Sequence, residues 1–221
     1  MFKLGFLTIG QSPRTDLYED FKEIFEKKEV IQAGALDDYT REEILEKFKP
    51  EEGQTTYVSR LRDGSEITFT KEKIIPLLQE KIYSIENEVD FIVILCSGEF
   101  PMLKSKKPII FPDKLLKHFS SAIYSFERKL GVVIPLEEQV KYAFDKWKQY
   151  SKDVKVVNAS PYSTSIEELE NRVSELIDRD YVIMDCIGYS LKQKEAVRKV
   201  VEKPVIATRS LLKATLIELT L

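Results

Sequence analysis

Two kinds of pattern alternate along this chain. Short, mostly apolar runs stand at Lys3-Leu4-Gly5-Phe6-Leu7-Thr8-Ile9, Val30-Ile31-Gln32-Ala33-Gly34-Ala35-Leu36, Phe91-Ile92-Val93-Ile94-Leu95, Lys129-Leu130-Gly131-Val132-Val133-Ile134, Val154-Lys155-Val156-Val157, Tyr181-Val182-Ile183-Met184 and Pro204-Val205-Ile206-Ala207. Runs of this kind, without strict alternation, predict strands buried on both faces, the middle of a parallel sheet covered by helices. Between them, apolar residues return at helical spacing, as in Leu17, Phe21, Ile24 and Phe25, in Ile74, Ile75, Leu78, Ile82 and Ile85, and in Val140, Phe144 and Trp147. Thr40 followed by Glu43 is a capping box that starts a helix toward Phe48. Ser12 as N-cap and Pro13 as first helical residue predict another helix start. The class is therefore α/β.

One segment breaks the alternation. Thr55 to Leu61 and Ser65 to Thr70 flank Arg62-Asp63-Gly64, which predicts a β-hairpin, inserted over about 54–70 at the sheet edge or over the site. Near the midpoint, Lys129-Leu130-Gly131-Val132-Val133 restates the opening Lys3-Leu4-Gly5-Phe6-Leu7, so the chain begins again. The expected architecture is two pseudosymmetric lobes with mostly parallel sheets flanked by helices, residues 1–128 and 129–221, with the last helix free to pack back on the first lobe.

Composition narrows the partners. The chain has 221 residues, 43% of them hydrophobic, and a formal net charge of -3, so no basic stripe steers it to nucleic acid or to an anionic membrane. A small anionic metabolite is the expected partner, and a homodimer is left open. Met1-Phe2-Lys3 runs straight into a strand, with no leader pattern and no long apolar stretch, so the expected location is the cytoplasm. One histidine, His118, and two cysteines offer no metal-ligand spacing, and neither a metal nor a cofactor is expected. His118 is expected on a helix surface.

The two cysteines carry the candidate chemistry. Phe91–Leu95 ends in Cys96-Ser97-Gly98, and Tyr181–Met184 leads through Asp185 to Cys186-Ile187-Gly188. In open α/β sheets ligands bind outside the carboxyl ends of the strands, which is where both thiols are expected. Two thiols on opposite faces of one carbon can take a proton from one side and return it from the other, inverting the centre or moving a double bond without a cofactor. The glycines Gly98 and Gly188 permit tight turns whose N–H groups could hold a carboxylate or enediolate. Ser97, Asp185, Ser160 and the Gln11-Ser12 turn with Arg14 join them as candidate substrate contacts; Arg209, also at a helix start after a strand, is a further candidate.

These residues bring in a resemblance. Paired cysteines ending equivalent strands resemble the aspartate/glutamate racemase superfamily, whose two α/β lobes each bring one cysteine to an interlobe cleft and act without cofactor. More narrowly, Leu7-Thr8-Ile9-Gly10, Val132-Val133-Ile134-Pro135-Leu136-Glu137-Glu138 and Met184-Asp185-Cys186-Ile187-Gly188-Tyr189 resemble the AroM family almost end to end. The resemblance implies a racemase or isomerase of a small carboxylic acid, with Cys96 and Cys186 as acid and base. It also shows departures. Gly98 stands where racemases carry a hydroxyl residue, Ile187 stands where they carry threonine, and no histidine follows Cys186. The family pattern holds the second cysteine more steadily than the first, which favours Cys186 over Cys96. The alternatives are a one-thiol decarboxylase or isomerase, a metabolite-binding or regulatory protein that kept the cleft without the chemistry, linked to aromatic biosynthesis by the family name, and a thiol redox protein, for which no Cys-x-x-Cys is present.

Overall fold

The apolar runs are strands, and every pairing in the two larger sheets is parallel. The structure is a computed structural model that describes residues 2–123 and 127–220. The chain divides into two compact units, Met1–Pro112 with Leu216–Leu221 and Asp113–Thr215.

In the first unit, β1 (Lys3–Thr8) leads through a 3-10 turn (Thr15–Leu17) to α1 (Lys22–Lys27), β2 (Glu29–Gly34) and α2 (Arg41–Lys47). Then come β3 (Thr56–Arg60) and β4 (Glu66–Thr70), followed by α3 (Lys71–Ile85), β5 (Phe91–Leu95) and the short β6 (Ile109–Ile110). The sheet order is β2-β1-β5-β6. β3 and β4 form their own antiparallel hairpin around Asp63-Gly64, with Arg60 opposite Glu66. One apolar core holds Leu7, Ile9, Ile92 and Ile94 from the sheet, Ile74, Leu78 and Ile82 from α3, and Tyr57 and Phe69 from the hairpin. Each fully buried side chain of this size contributes about 1.5–3 kcal/mol.

The second unit contains α4 (Pro112–Ala122), whose first residue closes the first unit, then β7 (Lys129–Ile134), a 3-10 turn (Glu137–Gln139), α5 (Val140–Trp147), β8 (Asp153–Asn158), α6 (Ile166–Val173), β9 (Tyr181–Met184), α7 (Leu191–Val201), β10 (Val205–Ala207) and α8 (Thr208–Thr220), whose residues from Leu216 on belong to the first unit. Its order, β8-β7-β9-β10, is the same second-first-third-fourth sequence found in the first unit. The units divide ahead of α4 rather than after it, because Leu116 of α4 is buried in the core formed by Leu130, Val132, Trp147 and Ile183. His118 is exposed on that helix.

A matched pair of hydrogen bonds opens both sheets. The Lys3 N–H donates to Asp90 Oδ2 at 2.8 Å, and the Asp90 N–H donates to the Lys3 carbonyl at 2.9 Å. Lys129 and Asp180 repeat both bonds at the same distances. Each aspartate stands six residues ahead of a cysteine.

The helix expected at Ser12-Pro13 is absent. A cis Ser12-Pro13 bond is followed by the 3-10 turn, and α1 begins only at Lys22. Ser12 does not cap because Asp37 captures both its N–H, at 2.6 Å, and its hydroxyl, at 2.7 Å. A charged acceptor brought in by the fold outcompetes a neutral local cap. The capping boxes of Thr40 with Glu43, Ser165 with Glu168 and Ser190 with Gln193 are complete.

Candidate functional site

In a sheet ordered second-first-third-fourth, the crevice lies between the first and third strands, where the crossovers leave to opposite sides. That point falls between β1 and β5 in one unit and between β7 and β9 in the other. Cys96 follows β5, and Cys186 follows β9 by one residue. Both cysteines are free thiols.

The two turns share their local geometry. The Gly98 N–H donates to Cys96 Sγ at 3.3 Å, and the Gly188 N–H donates to Cys186 Sγ at 3.3 Å. A hydrogen bond to sulfur favours a charged thiolate, the reactive form of a cysteine. Glycine is required by close approach in each case. A Cβ at Gly98 would lie 2.4 Å from Tyr57 Oη, and one at Gly188 would lie 2.6 Å from Pro161 Cγ and 2.7 Å from Tyr162 Oη. A tyrosine hydroxyl thus roofs each glycine.

Around Cys96 the roof belongs to the hairpin. Tyr57 of β3 accepts the Glu99 N–H at 3.2 Å and packs edge-on against Phe100, and the Lys71 ammonium lies over both rings. The same hairpin holds the turn after β1. The Gln11 N–H donates to the Arg60 carbonyl, the Arg62 N–H to Gln11 Oε1 at 3.0 Å, and Arg62 Nε to the Ser12 carbonyl at 2.7 Å. Gln11 Nε2 also donates to the Tyr39 carbonyl at 2.8 Å. Arg14 is buried, with Nε and Nη2 on the two carboxylate oxygens of Asp16 at 2.7 and 2.8 Å. The Gln11, Ser12 and Arg14 side chains are therefore held by the protein itself. The Ser12 turn is nonetheless an anion cradle: Ser12 N–H, Ser12 hydroxyl, Gly34 N–H and Arg62 Nη2 converge on the Asp37 carboxylate.

Around Cys186 everything from Tyr181 to Tyr189 is buried. Asp185 makes an ion pair with Lys146 at 2.9 Å and accepts Trp147 Nε1 at 2.9 Å, while Lys146 also meets Asp113 at 2.8 Å. Burial alone pushes the Lys146 ammonium down. The attraction of Asp185 and Asp113, with hydrogen bonds to both, outweighs it and holds Lys146 well above the usual lysine range. Asp185 is thus committed to a buried charge cluster beside the thiol. Ser160 Oγ accepts the N–H groups of Tyr162 and Ser163, shaping the loop that roofs Gly188. Arg209, at the start of α8, is buried and donates to the carbonyls of Ile187 at 2.8 Å and Gly188 at 2.7 Å.

Tyr57, Tyr162, Asp37, Lys146 and the backbone role of Arg209 were not legible as site features, although the Asp90 and Asp180 spacing was a usable signal of the repeat. Among the described residues, no group of three or more His, Cys, Asp or Glu could hold a metal ion. No helix among them is long and apolar enough to cross a membrane.

Solved structures with this arrangement are racemase-fold proteins. Allantoin racemase from Klebsiella pneumoniae superposes with a TM-score of 0.61 at 11% identity, covering 100% of this chain and 89% of that one. Unliganded arylmalonate decarboxylase gives 0.62 at 10% identity, covering 99% and 92%. Picrophilus torridus aspartate racemase gives 0.61 at 13% identity, covering 99% and 94%. The fold is that of the aspartate/glutamate racemase superfamily. No curated protein matches the sequence. The family described as AroM protein matches residues 4–220, and the chain belongs to it.

Proposed function

We propose that the protein is a cofactor-independent racemase or isomerase of a small carboxylic acid, with Cys96 and Cys186 as its two proton-transfer groups. The observation that carries this reading is the duplicated turn: each unit places a cysteine at its switch-point strand with a glycine N–H 3.3 Å from sulfur. The fold neighbours support it by kind, since two of the three named above are racemases and one is a decarboxylase.

In the proposed step a thiolate removes the proton from the carbon next to the carboxylate, and the electron pair moves into the enediolate. The thiol of the other cysteine then delivers its proton to the opposite face and becomes the thiolate, so charge and protons balance and the centre inverts. Backbone N–H groups of the turns carry the developing oxyanion.

The test is inversion and deuterium uptake at the α-carbon in heavy water across a panel of chiral carboxylic acids. Replacing either cysteine by alanine should lower inversion by about 10²–10⁴-fold, the usual worth of a general acid or base. Inversion that survives both replacements overturns the reading. Binding without turnover, unchanged in both variants, would instead identify a metabolite-binding protein.

A further inference from the structure

The Arg209 contact does more than close a loop. The Ile187 carbonyl and the Gly188 N–H are the two ends of one peptide group. Arg209 Nε donates to its oxygen at 2.8 Å, and its N–H donates to Cys186 Sγ at 3.3 Å. The second guanidinium contact, Nη2 to the Gly188 carbonyl at 2.7 Å, fixes the next peptide as well. A cation on the oxygen polarises the amide and strengthens its N–H as a donor, and hydrogen bonds in such chains reinforce one another in a low-dielectric interior. With Arg209 only 1% exposed, solvent does little to screen that charge.

We propose that Arg209 is a positioning residue that activates Cys186, relaying its buried positive charge to the sulfur through the peptide group joining Ile187 and Gly188. This rests on the reading above in naming which thiol is the readier base, but its physical content concerns the thiol alone. Other charged or titratable groups near the turn include Asp185, Lys146, Asp113 and Lys117 in their ion cluster, Tyr162 against Gly188, Tyr189 donating to the Ala159 carbonyl, and Lys194 donating to Ser210. The Lys146 pairs with Asp185 and Asp113 do not use the Arg209 guanidinium.

The experiment follows carbamidomethylation of each cysteine by iodoacetamide against pH, resolved by peptide mass spectrometry. The midpoint of each rate profile reports thiolate formation independently of how accessible the sulfur is. In the native protein the Cys186 midpoint should lie below that of Cys96. Arg209→Gln should raise the Cys186 midpoint by about one unit, a tenfold loss of rate below it, and leave Cys96 unmoved. Arg209→Lys keeps the charge without the two-pronged contact and should fall between. A Cys186 midpoint at or above that of Cys96 in the native protein overturns the proposal, as does a folded Arg209→Gln protein with an unmoved midpoint. If Arg209→Gln does not fold, the native ordering and the lysine variant decide. A shifted midpoint with no inversion of any acid would sink the proposed function and leave the relay standing, whereas inversion with an unmoved midpoint would do the reverse.

Discussion

The turn at Cys96 and the turn at Cys186 have the same sulfur contact and opposite surroundings. Residues 96–99 are half-buried beneath Tyr57, a tyrosine on a two-stranded hairpin. Residues 185–189 are buried, with an ion cluster at Asp185 and a guanidinium on the carbonyls of Ile187 and Gly188. Equal local geometry therefore does not mean equal chemistry. One thiol is set beside a buried ion cluster and a guanidinium, and the other is set beneath an aromatic side chain of the hairpin.

The strongest way to break this contrast is to remove the fixed charge. Lys146→Met takes the ammonium from buried Asp185 and leaves Asp113 with its Lys117 pair, and should cost about 3–5 kcal/mol in urea unfolding. The pH dependence has a definite sign. The folded-state value of Lys146 is raised, so the stability it adds is fully present below the ordinary lysine value of 10.5 and is lost only as pH rises through the raised one. The penalty should be the same at pH 7 and pH 9. A penalty that shrinks at pH 9 would show that the cluster is weaker than its geometry.

Next in size are the glycines. Gly98→Ala and Gly188→Ala should each cost about 1–3 kcal/mol by overpacking. The contrast is sharpened by adding Tyr57→Leu, which should recover part of the Gly98→Ala loss because the clash is with that ring. It should recover nothing at Gly188. Additivity of the first pair in thermal unfolding would mean that the hairpin is not the roof it is taken to be. The smallest effect is expected from Asp37→Asn, at about 1 kcal/mol, since it weakens bonds from Ser12 and Gly34 without emptying the cradle. Amide exchange should quicken at Ser12 and Gly34 and stay unchanged in Gly188.

The strands, the hairpin and the Thr40 capping box were legible because their signals are local: an apolar run, an Asp-Gly between alternating strands, a threonine three residues before a glutamate. The paired cysteines were legible because each ends such a run. What could not be read was set by partners far apart in sequence. Asp37 reaches Ser12 across 25 positions and cancels the helix start that Ser12-Pro13 announces. Lys146 reaches Asp185 across 39, turning a candidate substrate contact into part of an ion cluster. Arg209 looked like a carboxylate binder because its type and position allow it, but its buried guanidinium donates to two backbone carbonyls.

The hairpin has a mechanical consequence. Tyr57 bears on the loop after β5, while Arg60 and Arg62 bear on the loop after β1, so one stiff lever grips two loops at once. Displacing it loosens both together. The second unit has no shared handle of this kind in its described contacts: Ser160 and Gln193 tether one loop, and Arg209 tethers the other. Changes along β3 and the residues that follow it would therefore retune two loops of the first unit as a single adjustment, without any alteration to the sheet that carries them.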